Sequence, residues 1–358
     1  MQLCSHCYGE LDFSPILLKF AAERTFYYIN TCILLQFLFL LMECPIIVIM
    51  NFYYYNTRRI EAMEMKKEGY GYRKVNAFTA DGSVGNPAAY VMLNEDFLSS
   101  EQMLKAGKEH AGFVSEIVFC NKSDKADIKL TYYSSECEVA FCGHGTIATM
   151  FDLAKNNEEF SSKKKISIET NKKGILTVYN RIDSDGAVYI TAPDAIYMDV
   201  PVEKSEVSKA LGVTKANIDD KYSLGFIDAG LRTLLVPIKR FETEISIYPD
   251  KEALKKFCEN KKIDIILIFT MQTGRKTAFA HSRVFAPKFG YLEDPATGTG
   301  NSAFACYMLQ NKMWDGSNII IEQGGNNAAF NEVYLIKECD KILFGGKAEL
   351  RIDGEYYL

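Results

Sequence analysis

Apolar and polar positions change their spacing along the chain, and the changes mark out elements. Tyr72-Arg73-Lys74-Val75-Asn76-Ala77-Phe78 alternates at the two-residue period of a strand, and Asp81-Gly82-Ser83 reads as a turn. Gly85-Asn86-Pro87 leads into a second strand, Ala88 to Leu93. Ser99-Ser100-Glu101-Gln102 is a capping signal for a helix carrying Met103, Leu104 and Ala106. Glu116-Ile117-Val118-Phe119 and the alternating Ile128-Lys129-Leu130-Thr131-Tyr132 predict two further strands. The second half repeats that order. Arg232 to Ile238 reads as a strand, Asp250 to Asn260 as an amphipathic helix, Ile263 to Phe269 as a buried strand and Arg283-Val284-Phe285 as another. Gly345-Gly346 reads as a turn before a last strand, Ala348 to Ile352.

Each half contains a Gly-X-Gly turn that follows a β-rich stretch and opens a helix of small and apolar residues. The first is Phe141-Cys142-Gly143-His144-Gly145-Thr146, followed by Ile147, Met150, Phe151 and Ala154 at helical spacing. The second is Glu293-Asp294-Pro295-Ala296-Thr297-Gly298-Thr299-Gly300-Asn301, followed by Ser302 to Leu309. Asp294 reads as an N-cap, and Pro295 suits a tight turn. A helix apolar on every side belongs inside its lobe. Its first N–H groups and positive dipole end then face outward from the turn, toward an anion.

Gly143 and Gly298 are matched positions, so the repeat is about half of the chain that follows the first seventy residues. The expected organisation is α+β with two pseudo-symmetric lobes. Residues 1–70 form an N-terminal hydrophobic extension, 71–193 the first lobe and 194–345 the second. Residues 346–358 supply a terminal strand returning to the first lobe. Thr191-Ala192-Pro193-Asp194 reads as the lobe boundary.

The stretch from Phe26 to Tyr55 is dense in Leu, Ile, Phe and Tyr, but Gln36, Glu43 and Pro45 break it, so no clean apolar span of about 20 residues exists. One reading is a membrane anchor through residues 26–55, with Arg58, Arg59, Lys66 and Lys67 on the cytoplasmic side. The favoured reading is an upstream extension, with Met63 or Met65 as the start of a cytoplasmic protein.

A net charge of −5 over 358 residues leaves no basic excess for nucleic acid. Ten cysteines without a framework pattern suit a reducing compartment. Cys4-Ser5-His6-Cys7 looks like half of a zinc site, but no second Cys-X-X-Cys follows, so no metal is expected.

Several blocks resemble the phenazine-biosynthesis (PhzF-like) isomerase/epimerase family, which shares the diaminopimelate-epimerase fold. They are Val75-Asn76-Ala77-Phe78-Thr79, Gly85-Asn86-Pro87-Ala88-Ala89, Ser115-Glu116, Glu138 to His144, Phe285-Ala286-Pro287 with Glu293 to Gly298, and Ile321-Glu322-Gln323-Gly324. They run in the family's order from about Tyr72 to Leu358. The resemblance implies two lobes, each a curled, mostly antiparallel sheet or barrel around a central helix, with the active site between them. It also implies a cofactor-independent homodimer acting on a small carboxylated substrate. One departure is Gly324-Gly325-Asn326-Asn327, where the family carries Arg-Pro-Ser after Gln-Gly.

By that resemblance Glu116 shuttles a proton between carbons, supported by His144 and Asp294. Proton shuttling by a carboxylate asks for a pKa nearer neutrality, and enclosure is expected to raise that of Glu116. The dipole at a helix start is expected to keep His144 neutral. Asp294 is expected to orient substrate or His144. Asn86 presents its amide to the substrate, and N–H groups at Gly143, Gly145, Gly298, Thr299 and Gly300 are candidates to hold the substrate carboxylate. Without the motif context each residue has a plainer role: Glu116 a strand-edge carboxylate, His144 and Asn86 turn residues, Asp294 a cap. Epimerases of this fold that use two thiols offer another mechanism. Cys142 stands where the first thiol would be, but its partner position is Thr297, whose hydroxyl is too weak an acid or base, so Cys142 reads as wall or packing. A different class of answer is an inactive fold relative that binds or dimerises.

Overall fold

A computed structural model describes residues 69–94, 97–326 and 329–358. The readings made for residues 26–55, for the starts at Met63 and Met65 and for Cys4 to Cys7 lie outside the described residues. Among the described residues no helix is long and apolar enough to cross a membrane.

Strands β1 (Gly69–Ala77) and β2 (Asn86–Asn94) form an antiparallel pair in which Asn86 stands opposite Ala77. Helix α1 (Ser100–Glu109) follows, and Ser99 and Gln102 close the expected capping box. Strands β3 (Ile117–Asn121), β4 (Ile128–Tyr133) and the two-residue β5 (Glu138–Val139) lead into helix α2 (Gly143–Asn156). Then come β6 (Lys165–Thr170), β7 (Gly174–Arg181), β8 (Ala187–Thr191) and β9 (Ile196–Tyr197). A second series opens with β10 (Gly225–Asp228) and β11 (Arg232–Pro237), then helix α3 (Lys251–Asn260), capped by Asp250. Strands β12 (Ile265–Thr270), β13 (Ala280–Phe285) and the two-residue β14 (Glu293–Asp294) precede helix α4 (Gly298–Gln310). Strands β15 (Ile319–Gln323), β16 (Asn331–Glu338), β17 (Lys341–Gly346) and β18 (Ala348–Tyr357) complete the described chain.

The two series pair in the same order. β1–β2 is antiparallel, β2–β3 parallel, β3–β4 antiparallel and β4–β6 parallel, and β6–β7–β8 continue antiparallel. The ladder β10–β11–β12–β13–β15–β16–β17 repeats that sequence of directions strand for strand. β8 joins β17, so the two ladders form one mixed sheet, with β18 added outside β1 and β9 outside β10. Among the described residues β18 and β9 do not pair with each other, so the sheet is open and does not close into a barrel.

Each series wraps a helix without a polar stripe. Gly145 to Ala154 of α2 are buried, as are Gly298 and Gly300 to Met308 of α4. Both helices share one core with Phe269, Phe304 and Phe344. Each such fully buried side chain contributes about 1.5–3 kcal/mol of hydrophobic stabilisation. Smaller cores on the other faces of the sheet sit under α1 and α3.

The Gly345-Gly346 turn expected from sequence is strand. A Cβ on Gly345 would lie 2.3 Å from the Val188 carbonyl oxygen, and one on Gly346 would lie 2.8 Å from the Phe78 ring. These glycines let neighbouring groups press against the sheet, which is the other reason a strand carries glycine.

Candidate active site

Glu116 immediately precedes β3, and its carbonyl accepts from Ala89 N–H at 3.4 Å. Cys142 is the N-cap of α2: its Sγ accepts from Gly145 N–H at 3.2 Å, while its carbonyl accepts from the Thr146 hydroxyl at 2.7 Å. A side chain at position 145 has no room, since a Cβ would lie 3.0 Å from both Cys142 Sγ and Val118 Cγ2. That close approach delivers His144 to Glu116. Nε2 of His144 is 3.2 Å from Oε2 of Glu116, and Cys142 Sγ is 3.7 Å from the same oxygen and 3.5 Å from His144 Nδ1.

Asp294 lies on β14, opposite Val284. The Asn86 amide donates to Asp294 Oδ1 and to the Ala296 carbonyl, both at 2.8 Å. The Thr297 hydroxyl donates to Asp294 Oδ2. The expected N-cap role of Asp294 therefore falls to Thr297, because the short β14 strand holds Asp294 three residues before the cap. Gln323 locks the turn: its Oε1 accepts from Thr297 N–H at 3.0 Å and from the Asn301 amide at 2.7 Å, and its Nε2 donates to the Asp294 carbonyl at 2.8 Å. Asn331 donates to the Pro295 carbonyl at 2.8 Å and accepts from Gly85 N–H at 2.8 Å, tying this turn to the one before Asn86.

The starts of α2 and α4 meet on one ring. A Cβ on Gly143 would stand 3.2 Å from Phe344 Cζ, and one on Gly298 would stand 2.1 Å from Phe344 Cε2. Thr299 instead leans toward Gly230, with its methyl 3.4 Å from where a Cβ there would be. The Gly145 N–H is taken by the Cys142 sulfur. Gly300 lies in the first turn of α4, against Ile265 and Val284.

Electrostatics divides the two carboxylates. Burial works to raise the pKa of Glu116, but the hydrogen bond and charge of His144, with a further hydrogen bond from Cys142, hold it below its ordinary value. The expected shift toward neutrality is absent because an imidazole sits within hydrogen-bond reach. Burial disfavours the imidazolium of His144, yet Cys142 and then Glu116 carry its pKa well above the usual range, so the expected neutral ring gives way to a charged one. Burial also pushes the Cys142 thiol up, which leaves the carboxylate as the lasting partner of that charge. Of these two carboxyls Asp294 is the nearer to neutrality, raised to about 6 by burial; Glu116 adds to the rise, while His144, Thr297 and Asn86 oppose it. Asp294, Glu116 and His144 therefore share one field.

Sequence reasoning missed Tyr291, whose phenol is raised by burial and by the charges of Asp294, Glu116 and Cys142. It also missed Phe344, Gln323 and Asn331 as supports. The Gln323-Gly324 pair, part of the family resemblance, was the available signal for Gln323; a lone tyrosine in a loop and an apolar strand residue give none.

A sheet wound as two equivalent series around buried helices, with a carboxylate–imidazole pair and a second carboxyl at the helix starts, defines the class of isomerases and epimerases with this α+β fold. The family model described as phenazine biosynthesis-like protein matches residues 75–354, and the chain belongs to that family of isomerases and epimerases. Its relatives include an uncharacterized isomerase of Bacillus subtilis (strain 168), 32% identical over 254 residues, covering 70% of this chain and 85% of the relative. A crystal structure of a Bacillus anthracis phenazine biosynthesis protein of the PhzF family superposes with a TM-score of 0.72 at 25% identity, covering 81% of this chain and all of that one. A PhzF-family protein of Enterococcus faecalis gives a TM-score of 0.67 at 25% identity, again over 81% of this chain and all of the other.

Proposed function

We propose that the chain is a cofactor-independent isomerase or epimerase that moves a proton between carbons of a small carboxylated metabolite, with Glu116 as the proton carrier. The observation that carries this reading is the 3.2 Å Glu116–His144 pair, half-buried beside the start of a helix. The pair keeps Glu116 ionised and therefore ready to accept a proton from carbon. Once Glu116 is neutral, the positive charge on His144 loses its partner and is free to stabilise the enolate-like charge that has formed. Asp294, held by Asn86 and Thr297, orients the substrate or the imidazole. N–H groups at Gly143, Gly298, Thr299 and Gly300 bind the substrate carboxylate, as helix starts do. Gly145 leaves that set because its N–H serves the Cys142 sulfur. A two-thiol mechanism has little support, since the partner of Cys142 is Thr297, whose hydroxyl is spent on Asp294. A cytoplasmic homodimer is the accompanying proposal.

The test is deuterium exchange from D2O into a library of small carboxylates, followed by mass spectrometry. Glu116→Gln, close in shape but unable to take the proton, is expected to slow exchange roughly 10²–10⁴-fold. Exchange at the wild-type rate in that variant would remove Glu116 as the proton carrier, and no exchange by the wild-type protein into any member of the library would leave a binding role.

A further inference from the structure

Among the described residues, Glu116, Cys142 and His144 are the group of metal-ligating side chains whose donor atoms all lie within 4.8 Å of one another. The three atoms Sγ of Cys142, Nε2 of His144 and Oε2 of Glu116 form a triangle. Its edges are 3.8 Å from sulfur to nitrogen, 3.2 Å from nitrogen to oxygen and 3.7 Å from sulfur to oxygen. Tetrahedral zinc(II) with ordinary Zn–S, Zn–N and Zn–O bonds needs edges of about 3.5 Å, about 3.3 Å and about 3.5 Å in the same order. Each observed edge is within a few tenths of an ångström of what the ion requires.

From this geometry we infer a latent zinc(II) site formed by Cys142, His144 and Glu116, which inactivates the centre when filled. One thiolate and one carboxylate neutralise the ion's two charges, and the imidazole supplies a neutral third bond, so the filled site carries no net charge into a half-buried region. The Gly145 N–H at 3.2 Å and the start of α2 stabilise the thiolate that binding creates. Coordination expels the thiol proton and any proton on the ligating ring nitrogen to solvent. Three protein ligands leave a fourth position for water. Occupancy ties up the carboxylate and the imidazole together. The metal site stands on this cluster alone; its inactivating effect rests on the proton-transfer reading.

The test uses the full chain. Because Cys4-Ser5-His6-Cys7 offers ligands of its own, the background is Cys4→Ser/Cys7→Ser. Cobalt(II) is titrated as a spectroscopic stand-in, and zinc(II) affinity is read by competition with a chromophoric chelator. One equivalent per chain is expected, with a near-ultraviolet thiolate-to-cobalt band. Adding Cys142→Ser should abolish the band. His144→Gln should weaken zinc by more than the ~10–100-fold that losing even a supporting group costs in such sites. Circular dichroism of each variant checks folding. Absence of the band in the background protein, or its survival in Cys142→Ser, overturns the inference. Where a substrate is in hand, zinc(II) should stop deuterium exchange. A cobalt band in a protein that exchanges nothing would sink the proposed function while leaving the metal site standing.

Discussion

The edge of the Phe344 ring occupies the space that a side chain on Gly298 would need: a Cβ built there lies 2.1 Å from Cε2. Two effects of Gly298→Ala compete. Alanine gains at most about 1 kcal/mol over glycine here, that being the helix-interior figure, and Gly298 is the first residue of α4. Overpacking a filled core costs about 1–3 kcal/mol, and Phe344 is fully buried, with little room to give. Overpacking should win, with a net loss of roughly 1 kcal/mol in urea unfolding. Adding Phe344→Leu, which removes the offending ring atoms, should recover part of the loss. A neutral Gly298→Ala, or a double variant that is simply the sum of its parts, would contradict this contact.

The Glu116–His144 pair has a pH signature that Glu116→Gln removes. The folded-state pKa of His144 is raised, so its contribution to stability is complete below 6.5 and is lost as pH climbs through the raised value. That of Glu116 is lowered, so its contribution is present above its ordinary 4.5 and is lost as pH falls through the lowered value. In Glu116→Gln the His144 ring protons, followed by NMR, should titrate at lower pH than in wild type. The acid limb of stability should flatten. An unchanged His144 midpoint would mean that the carboxylate does not hold the charge.

Much of the frame was legible because it follows from periodicity and caps. The alternation from Tyr72, the Ser99–Gln102 box and the Asp250 start announce β1, α1 and α3 directly. The two Gly-X-Gly turns announced α2 and α4, and the apolar surface of Ser302 to Leu309 announced that α4 is buried. The errors fell where a long-range contact overrides local chemistry. Asp294 looks like a cap until a two-residue strand, too short to produce a pattern, moves the cap to Thr297. Gly345-Gly346 looks like a turn until Val188 and Phe78 are seen pressing on it. The charge state of Glu116 depends on a histidine 28 positions further on, beyond the reach of the local periodicity that announces an element.

Asp294 supplies a signature of opposite sign to that of Glu116. Its folded-state pKa is raised from 3.8 to about 6, so the folded protein binds this proton more tightly than the unfolded chain. Its contribution is therefore complete below pH 3.8 and declines as pH rises toward 6, a swing of roughly 3 kcal/mol if unopposed. Asp294→Asn keeps oxygen acceptance from Asn86 and removes the titrating group. Its stability should be nearly flat where wild type declines, so the variant gains on wild type between pH 4 and 6. Parallel profiles for the two proteins would show that Asp294 keeps an ordinary pKa.

Asn86 touches Asp294, a contact that nothing in its own segment of chain predicts. It is 1% exposed, and its amide nitrogen serves both Asp294 and the Ala296 carbonyl. Asn86→Asp keeps the shape but replaces the donor with a second carboxylate facing the first across 2.8 Å. Both cannot ionise at that distance, so the pair should hold one proton between them. At pH 7 the variant must either keep that proton against the solvent or bury two unpaired charges, a penalty of roughly 3 kcal/mol. Lowering the pH to 5 supplies the proton, restores a donor between the two side chains and should return most of the loss. Urea midpoints at the two pH values measure it directly. An equal loss at both would mean that the Asn86 amide matters only for the Ala296 carbonyl, and that the link between the turn before β2 and the turn before α4 is a backbone contact rather than a charged one.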